Sequence, residues 1–135
     1  MKTLVLTAEI TNMDEVLDFI NAELEANNLS MKVIMQLDIA VEELFVNIAH
    51  YAYNPEVGEA TISVDVQEDP RCVEIRFVDR GKPYDPLSRE DPDITLDVDD
   101  RQIGGLGIYM VKKTMDEIHY AYEDGQNILT IRKLV

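Results

Sequence analysis

Three glycines, Gly104, Gly105 and Gly107, stand at the predicted start of a helix near the end of the chain. Glycine lets a backbone approach a ligand closely, and the first amides of a helix are unpaired donors at its positive end. Such a helix start can hold a phosphate group, although a tight turn from loop into helix accounts for the same glycines. Two familiar phosphate-binding patterns are absent from the sequence. It contains no G-x-x-x-x-G-K-[ST] segment, and Met110 stands where G-x-G-x-x-G requires its last glycine.

Two further pairs of residues have types and spacings that suit a binding site. Asp79 and Gly81 lie where a predicted strand ends. A carboxylate there can accept a hydrogen bond from an exocyclic amine, such as that of adenine, or can cap the turn. Glu43 and Asn47 lie one turn apart on a predicted helix, so the acid and the amide point the same way. A solvated helix face would show the same pair, so neither signal decides the matter alone.

Three helices are predicted to position these residues. The central helix runs from Ser30 to Tyr53, with Ser30 as its N-cap. An earlier helix begins at a capping box formed by Asn12 and Glu15. The last helix runs from Gly104 to Met115. The apolar stripe of the central helix consists of Ile34, Leu37, Val41, Leu44 and Ile48.

Five strands are predicted from alternating apolar residues and turn signals. The two middle strands form a hairpin across Asp69-Pro70, and the last two form another across Asp124-Gly125. Because the strands cluster in hairpins, the sheet should be mixed or mostly antiparallel, with the helices on one face. The sequence therefore predicts an α+β fold, a two-layer α/β sandwich, in a single domain spanning residues 1–135. The predicted strands are Lys2 to Ile10, Glu59 to Gln67, Cys72 to Asp79, Ile118 to Tyr122 and Asn127 to Leu134.

The charge balance limits the partners that the protein can bind. With 12 basic and 27 acidic residues the formal net charge is −15, which argues against nonspecific binding to nucleic acid or to anionic membranes. A phosphate ligand would therefore need local backbone dipoles, a metal ion or a few placed cations. Cys72 is the only cysteine, so no internal disulfide can form and a cytoplasmic location is expected. We expect neither a leader nor a membrane span, because no basic-then-apolar stretch follows Met1.

The order of these signals along the chain is typical of one superfamily. E-x-x-x-N on a helix is followed by D-x-G at a strand end, by a long loop, and by G-G-x-G at a helix start. In this arrangement the chain resembles the Bergerat-fold ATP-binding superfamily, which includes gyrase-type topoisomerases, heat-shock chaperones, histidine kinases and mismatch-repair ATPases. Within it the chain is most similar to the stand-alone anti-sigma-factor serine kinases of bacteria. The segments typical of that branch are AVEELFVNIAHYAY, VDRGKPYDP and GGLGIYMVKKTMDEI, and the resemblance covers nearly all of the chain.

The resemblance implies a role for each matching position. Asn47 matches an asparagine that ligates the Mg²⁺ bridging the ATP phosphates, an ion that accepts amide oxygens. Glu43 matches a general base that takes the proton from an attacking serine or water. Asp79 matches the aspartate that reads adenine, and Gly81 matches the glycine that leaves room for the base. Residues 82–103 match the ATP lid.

The phosphate-facing glycines of the superfamily match Gly105 and Gly107, with Gly104 as an accessory. Mg²⁺ and a helix start together supply the local positive potential that a protein of this charge needs to bind ATP. Arg101 and Lys112 are candidate additional cations, and an ordinary solvated side chain is the other interpretation of each.

Two positions depart from the pattern of the wider superfamily. That pattern is often D-x-G-x-G, whereas this chain has Pro83 in place of the second glycine, a form common in the anti-sigma branch. The superfamily also often places a threonine of the last strand near the adenine aspartate. The stretch here reads Gly125-Gln126-Asn127, so this contact stays unassigned.

The resemblance implies an ATP-dependent and Mg²⁺-dependent anti-sigma factor serine kinase. Such a protein sequesters a sigma factor and phosphorylates a serine of an anti-anti-sigma protein, its antagonist. Homodimers are common in the branch, and direct binding to nucleic acid or to a membrane is not expected. Two alternatives stay open: a noncatalytic module that uses ATP occupancy to switch partner binding, and a plain ATPase. Glu43 favours chemistry, because binding alone requires no general base.

Overall fold

The computed structural model of the protein describes residues 1–88 and 105–135, with the backbone alone at positions 105 and 106. The order of its helices and strands is the predicted one. None of the helices in these two ranges is long and apolar enough to cross a membrane. The elements are β1 (Lys2–Thr7), α1 (Met13–Ala26), α2 (Met31–Asn47), β2 (Glu59–Gln67), β3 (Cys72–Asp79), α3 (Gly105–Thr114), β4 (Glu117–Glu123) and β5 (Gln126–Leu134).

The strands of the described residues form one five-stranded sheet in the order β1-β2-β3-β5-β4. All of the pairings between neighbouring strands in this order are antiparallel, which confirms the predicted mostly antiparallel sheet and both predicted hairpins. β3 and β5 are neighbours although α3 and β4 lie between them in the chain. Their register places Asp79, the last residue of β3, opposite Asn127 near the start of β5. Two residues distant in sequence therefore meet where β3 ends and β5 begins, at one end of these two interior strands.

One face of the sheet packs against the helices. On this face Phe77 lies opposite Ile62 in β2 and Leu129 in β5, and all three side chains are buried. Complete burial of such a side chain contributes about 1.5–3 kcal/mol, so the apolar layer holds α2 firmly against the sheet. The predicted two-layer sandwich is confirmed. The helical residues that are completely buried in this layer are Val16, Ile20, Leu24, Leu37, Ala40, Val41 and Phe45.

The starts of the first two helices differ in how they are capped. Ser30 accepts a hydrogen bond from the Val33 amide at 3.3 Å and caps α2 as predicted. The predicted capping box at Asn12 is wrong. Asn12 ends a 3-10 turn that leads into α1, and its φ of −94° and ψ of 4° are not those of an extended cap residue. Its side-chain amide donates instead to the Thr7 carbonyl at 2.9 Å, and β1 ends at Thr7 and not at Ile10.

The C-terminal end of α2 also differs from the prediction. The α-helix ends at Asn47, and Ile48–Ala52 form a wider π-helical turn where a continuous α-helix was predicted. The carbonyl of Ala52 accepts a hydrogen bond from the amide of Lys82 at 2.8 Å. This contact ties the end of the helix to the chain that follows β3. The periodicity of apolar residues could not reveal this contact, because Lys82 is distant from Ala52 in the sequence.

Candidate active site

A cleft of about 410 Å³ opens between the end of α2 and the sheet edge where β3 ends and β5 begins. Its walls are mainly apolar, with a few polar groups that converge on the interior, as is usual in sites for small ligands. The apolar walls are Leu44, Ile48, Ala52, Phe77, Pro86 and Leu129. The polar side chains are Asn47, Asp79, Lys82, Tyr84, Tyr120 and Asn127.

Asp79 is buried, with 5% of its surface exposed, at the end of β3. Its Oδ1 accepts hydrogen bonds from the Gly81 amide and from Asn127 Nδ2, each at 2.9 Å. The aspartate therefore does cap the turn that follows the strand. Both of these bonds use the same oxygen, and no hydrogen bond from the described residues reaches Oδ2. The second oxygen is therefore available to an amine in the cleft.

Asn127 fixes the position of Asp79, and the sequence had left its role unassigned. Besides Asp79, Nδ2 of Asn127 donates to the carbonyl of Lys82 at 2.8 Å. Its Oδ1 accepts from the Tyr84 amide at 3.1 Å and from the Tyr120 hydroxyl at 2.5 Å. Burial raises the pKa of Tyr120, which keeps this donor protonated. One signal in the sequence could have identified Asn127. It is a single amide on the buried face of a strand whose following buried residues, Leu129 and Ile131, are apolar.

Gly81 is required by the packing of the backbone. A Cβ atom at this position would overlap the carbonyl of Ala52 in the π-helical turn. Tyr53 strengthens the same junction, because its hydroxyl accepts from the Arg80 amide at 2.7 Å and donates to the Glu59 carbonyl at 2.6 Å. The close approach of these two segments forms one end of the cleft. The resemblance implies that Gly81 leaves room for the adenine base. The glycine also leaves room for the protein's own backbone at Ala52.

Asn47 lines the cleft at the last residue of α2. Its Nδ2 is buried and has no hydrogen-bond partner among the described residues. A buried donor without a partner costs about 1–3 kcal/mol and is rare in folded proteins. The amide therefore keeps a donor that the described residues do not use. Nδ2 can donate to a phosphate oxygen, and Oδ1 has the chemistry that a hard cation such as Mg²⁺ requires.

Glu43 lies directly against the first turn of α3. A Cβ atom on Gly107 would overlap the carboxylate of Glu43, so the acid occupies the space that the glycine leaves. The first turn of a helix has a positive potential and unpaired amides. A phosphate held there would lie next to the acid. The geometry thus joins two of the sequence signals, the helical acid–amide pair and the glycines.

Several predicted site residues lie outside this description. Gly104 and Arg101 are outside the described residues, as are residues 89–103 of the predicted lid. Gly105 begins α3, and Lys112 is half-buried on the same helix. Within the two described ranges, no group of three or more histidine, cysteine, aspartate or glutamate residues is arranged to hold a metal ion.

The chain matches the family model of the histidine kinase-like ATPase domain over residues 6–133. It is 27% identical to the serine/threonine-protein kinase BtrW of Bordetella bronchiseptica, over 96% of this chain and 90% of that protein. It is 30% identical to the serine-protein kinase RsbW of Listeria monocytogenes and 33% identical to RsbW of Bacillus cereus. These matches cover 74% and 71% of this chain but only 66% and 61% of the two RsbW proteins. The resemblance inferred from the motifs is confirmed, and the chain belongs to the histidine kinase-like ATPase family.

Proposed function

We propose that this protein is an ATP-dependent protein serine kinase. The observation that carries the proposal is the contact between the Glu43 carboxylate and Gly107 at the start of α3. An acid at that place has no part in reading adenine, but it lies where a hydroxyl attacking a bound phosphate would lose its proton. The names of the relatives, BtrW and RsbW, support the same activity, since both are serine kinases.

The adenine of ATP fits the apolar part of the cleft. Asp79 Oδ2 would accept from the exocyclic amine while Asn127 holds the carboxylate in place through Oδ1. The apolar walls exclude water from this hydrogen bond, which strengthens it. The phosphates would then extend along the cleft toward Asn47 and the start of α3, where backbone amides are unpaired.

Asn47 would hold Mg²⁺ through Oδ1, and its unpartnered Nδ2 would donate to a phosphate oxygen. When bound, Mg²⁺ neutralises part of the charge on the phosphates, which matters for a chain with a formal charge of −15. The chain supplies the remaining positive potential through the helix start at Gly105 and Gly107.

Transfer would begin when a serine hydroxyl of the acceptor protein reaches the γ-phosphate beside Glu43. The carboxylate accepts the hydroxyl proton, and the serine oxygen forms a bond to the γ-phosphorus. The bond from that phosphorus to the β–γ bridging oxygen breaks, and ADP leaves with the electron pair. Glu43 then returns its proton to solvent.

The resemblance extends the proposal to the partners. The acceptor would be an anti-anti-sigma protein, and the chain would also sequester a sigma factor in the cytoplasm, acting as a homodimer. The strongly acidic composition of the chain supports protein partners with basic surface and argues against direct contact with nucleic acid.

One experiment separates the kinase from its two rivals. The protein is incubated with γ-labelled ATP, Mg²⁺ and a purified anti-anti-sigma protein from the same organism. Label on a serine of that protein supports the kinase. Free phosphate alone identifies an ATPase, and ATP binding with neither product identifies a noncatalytic switch.

A further inference from the structure

α2 carries an exposed row of apolar side chains on its outer surface. Met31 is 71% exposed, Met35 is 57% exposed and Ile39 is 52% exposed. Residues four apart on a helix lie one above the other, so the three side chains form a single ridge, here called the apolar ridge. The next position in the same row is Glu43. The apolar ridge therefore leads directly to the acid that lies against α3.

The exposed surface of the neighbouring helix has the opposite character. In α1, all of which the structure describes, no large apolar side chain is exposed. Its exposed positions include the acids Asp14, Glu15, Asp18 and Glu25. Because the two helices cover the same sheet, the difference does not come from the packing of the fold. Contiguous exposed apolar side chains often mark a surface that another protein covers, and methionine adapts well to such contacts.

The position of the apolar ridge matches the footprint of a protein substrate. With a rise of about 1.5 Å per residue, Ile39 lies about 6 Å and Met35 about 12 Å along the helix from Glu43. An ordinary interface of about 800 Å² per partner, drawn as a disc, has a radius of about 16 Å. A serine oxygen within hydrogen-bond reach of Glu43 belongs to a surface that extends over both residues.

The charges beside the apolar ridge limit the chemistry of its partner. Asp38, Glu42 and Glu43 lie on the part of α2 nearest the site, where Glu42 is exposed, and Lys32 is the exposed base at the far end of the apolar ridge beside Met31. An acidic partner surface would be repelled here, whereas apolar side chains flanked by lysine or arginine would be attracted. A second copy of this acidic chain is disfavoured as the occupant of the apolar ridge for the same reason.

We propose that the apolar ridge is the docking surface for the protein whose serine is phosphorylated. This inference rests on the proposed kinase function. The acceptor presents apolar side chains close to its serine, with basic residues at their margin. Ile39 and Met35 are covered by the acceptor in the productive complex, and Met31 lies at the edge of the contact.

The test uses the full chain and each anti-anti-sigma protein encoded in the same genome, purified singly. Ile39→Gln and Met35→Gln place polar residues with good helix propensity on the apolar ridge. Ile10→Gln is the matched control, because Ile10 is 50% exposed but lies at the start of the 3-10 turn before α1. Measured for each variant are KM for the acceptor, kcat, the Kd for ATP and the thermal midpoint.

The apolar ridge variants are expected to raise KM for the acceptor about tenfold each, the effect of losing one well-buried apolar contact. The Kd for ATP and the thermal midpoint should stay at the parent values, and Ile10→Gln should change KM less than about twofold. Failure of the parent to label any acceptor overturns the kinase function and the docking surface with it. Labelling by the parent with an unchanged KM for both variants overturns the docking surface alone. A changed oligomeric state with unchanged KM would identify the apolar ridge as a contact between copies.

Discussion

The two ends of the cleft differ in how completely the protein satisfies its own polar groups. At the sheet edge, Asn127 uses both Nδ2 and Oδ1 in hydrogen bonds to the protein, and Asp79 is held through Oδ1. At the end of α2, Nδ2 of Asn47 is buried without a partner among the described residues. The first end, here called complete, is therefore fixed before a ligand binds and leaves only Asp79 Oδ2 open, whereas the second, incomplete end is completed by a ligand. The complete end suits recognition of a nucleobase, and the incomplete end suits groups whose charge changes during a reaction.

The largest expected effect comes from removing the acid at the incomplete end. Glu43→Ala should lower the rate of phosphate transfer about 10²–10⁴-fold, because the serine loses its proton acceptor. The Kd for ATP should change little, since the adenine end is intact. The measurement is label transfer to the acceptor, together with calorimetry using a nonhydrolysable ATP analogue.

Glu42→Ala is the matched control for this variant, because Glu42 is the exposed neighbouring acid on the same helix. At saturating acceptor it should leave the rate of transfer near that of the parent, because a contribution of Glu42 to docking changes KM for the acceptor. A Glu43→Ala protein that phosphorylates at the normal rate would refute the assignment of the base.

Gly107→Ala should give the next largest effect. The new Cβ atom would overlap the Glu43 carboxylate, so the acid must move. A displacement of about 1 Å can lower a rate about 10²-fold. The rate is measured in the parent and in the Glu43→Ala background.

If Gly107→Ala acts through Glu43, its effect should largely disappear when Glu43 is already alanine. Equal losses in the two backgrounds would mean that the glycine serves phosphate binding independently of the acid.

The contrast between the two asparagines predicts unequal effects on the stability of the ligand-free protein. Asn127→Ala leaves Asp79 and Tyr120 without their partner, so the free energy of unfolding should fall by about 1–3 kcal/mol. Asn47→Ala removes an unpaired donor, so the change should be within about 0.5 kcal/mol, while the Mg²⁺-dependent part of ATP binding is lost. Urea unfolding and calorimetry with and without Mg²⁺ measure the two quantities.

Gln126→Ala, one position before Asn127 and on the opposite face of β5, controls for any change in the strand itself. Equal destabilisation by the two asparagine variants would remove the distinction between a complete and an incomplete end.

A smaller effect is expected at a pair of unpartnered atoms between α1 and α2. Asn21 Nδ2 donates to Asp38 Oδ2 at 3.3 Å, while Oδ1 of each residue is buried without a partner among the described residues. Burial raises the pKa of Asp38, against the lowering effect of the Asn21 hydrogen bond and with Glu42 and Glu25 raising it further. Protonation of Asp38 would add a donor to a pair of side chains that now leaves two buried acceptor oxygens without a partner.

Because the folded pKa of Asp38 is raised, its contribution to stability is complete below the ordinary aspartate pKa of 3.8 and is lost as the pH rises through the folded pKa. Asp38→Asn keeps the donor at all pH values, so it should stabilise the protein at pH 7 by about 0.5–1.5 kcal/mol and have less effect near pH 4. Asp18→Asn, at an exposed acid of α1, is the control for urea unfolding at the two pH values. A gain that does not depend on pH would exclude protonation as the cause.

The sequence predicted the elements better than the contacts between them. The apolar stripe of α2 and the two hairpins were predicted correctly, because each depends on residues close in the chain. The π-helical turn after Asn47 and the cap at Asn12 were predicted incorrectly, because the decisive partners, Lys82 and Thr7, belong to other segments. Asn127 was missed for the same reason: its importance depends on the register of β5 with β3. The contact of Glu43 with Gly107 required the packing of two helices, which no motif specifies.

The hydrogen bonds of Asn127 also constrain how this family member can evolve. A single side chain supports the carboxylate of Asp79, which we propose binds adenine, together with the carbonyl of Lys82 and the hydroxyl of Tyr120. A replacement that suits one of these partners leaves the others unpaired. A substitution at position 127 should therefore occur only together with substitutions at its partners. Related proteins should differ here by coordinated changes at several positions. Nucleotide preference and the anchoring of the chain after β3 would then be inherited as one trait.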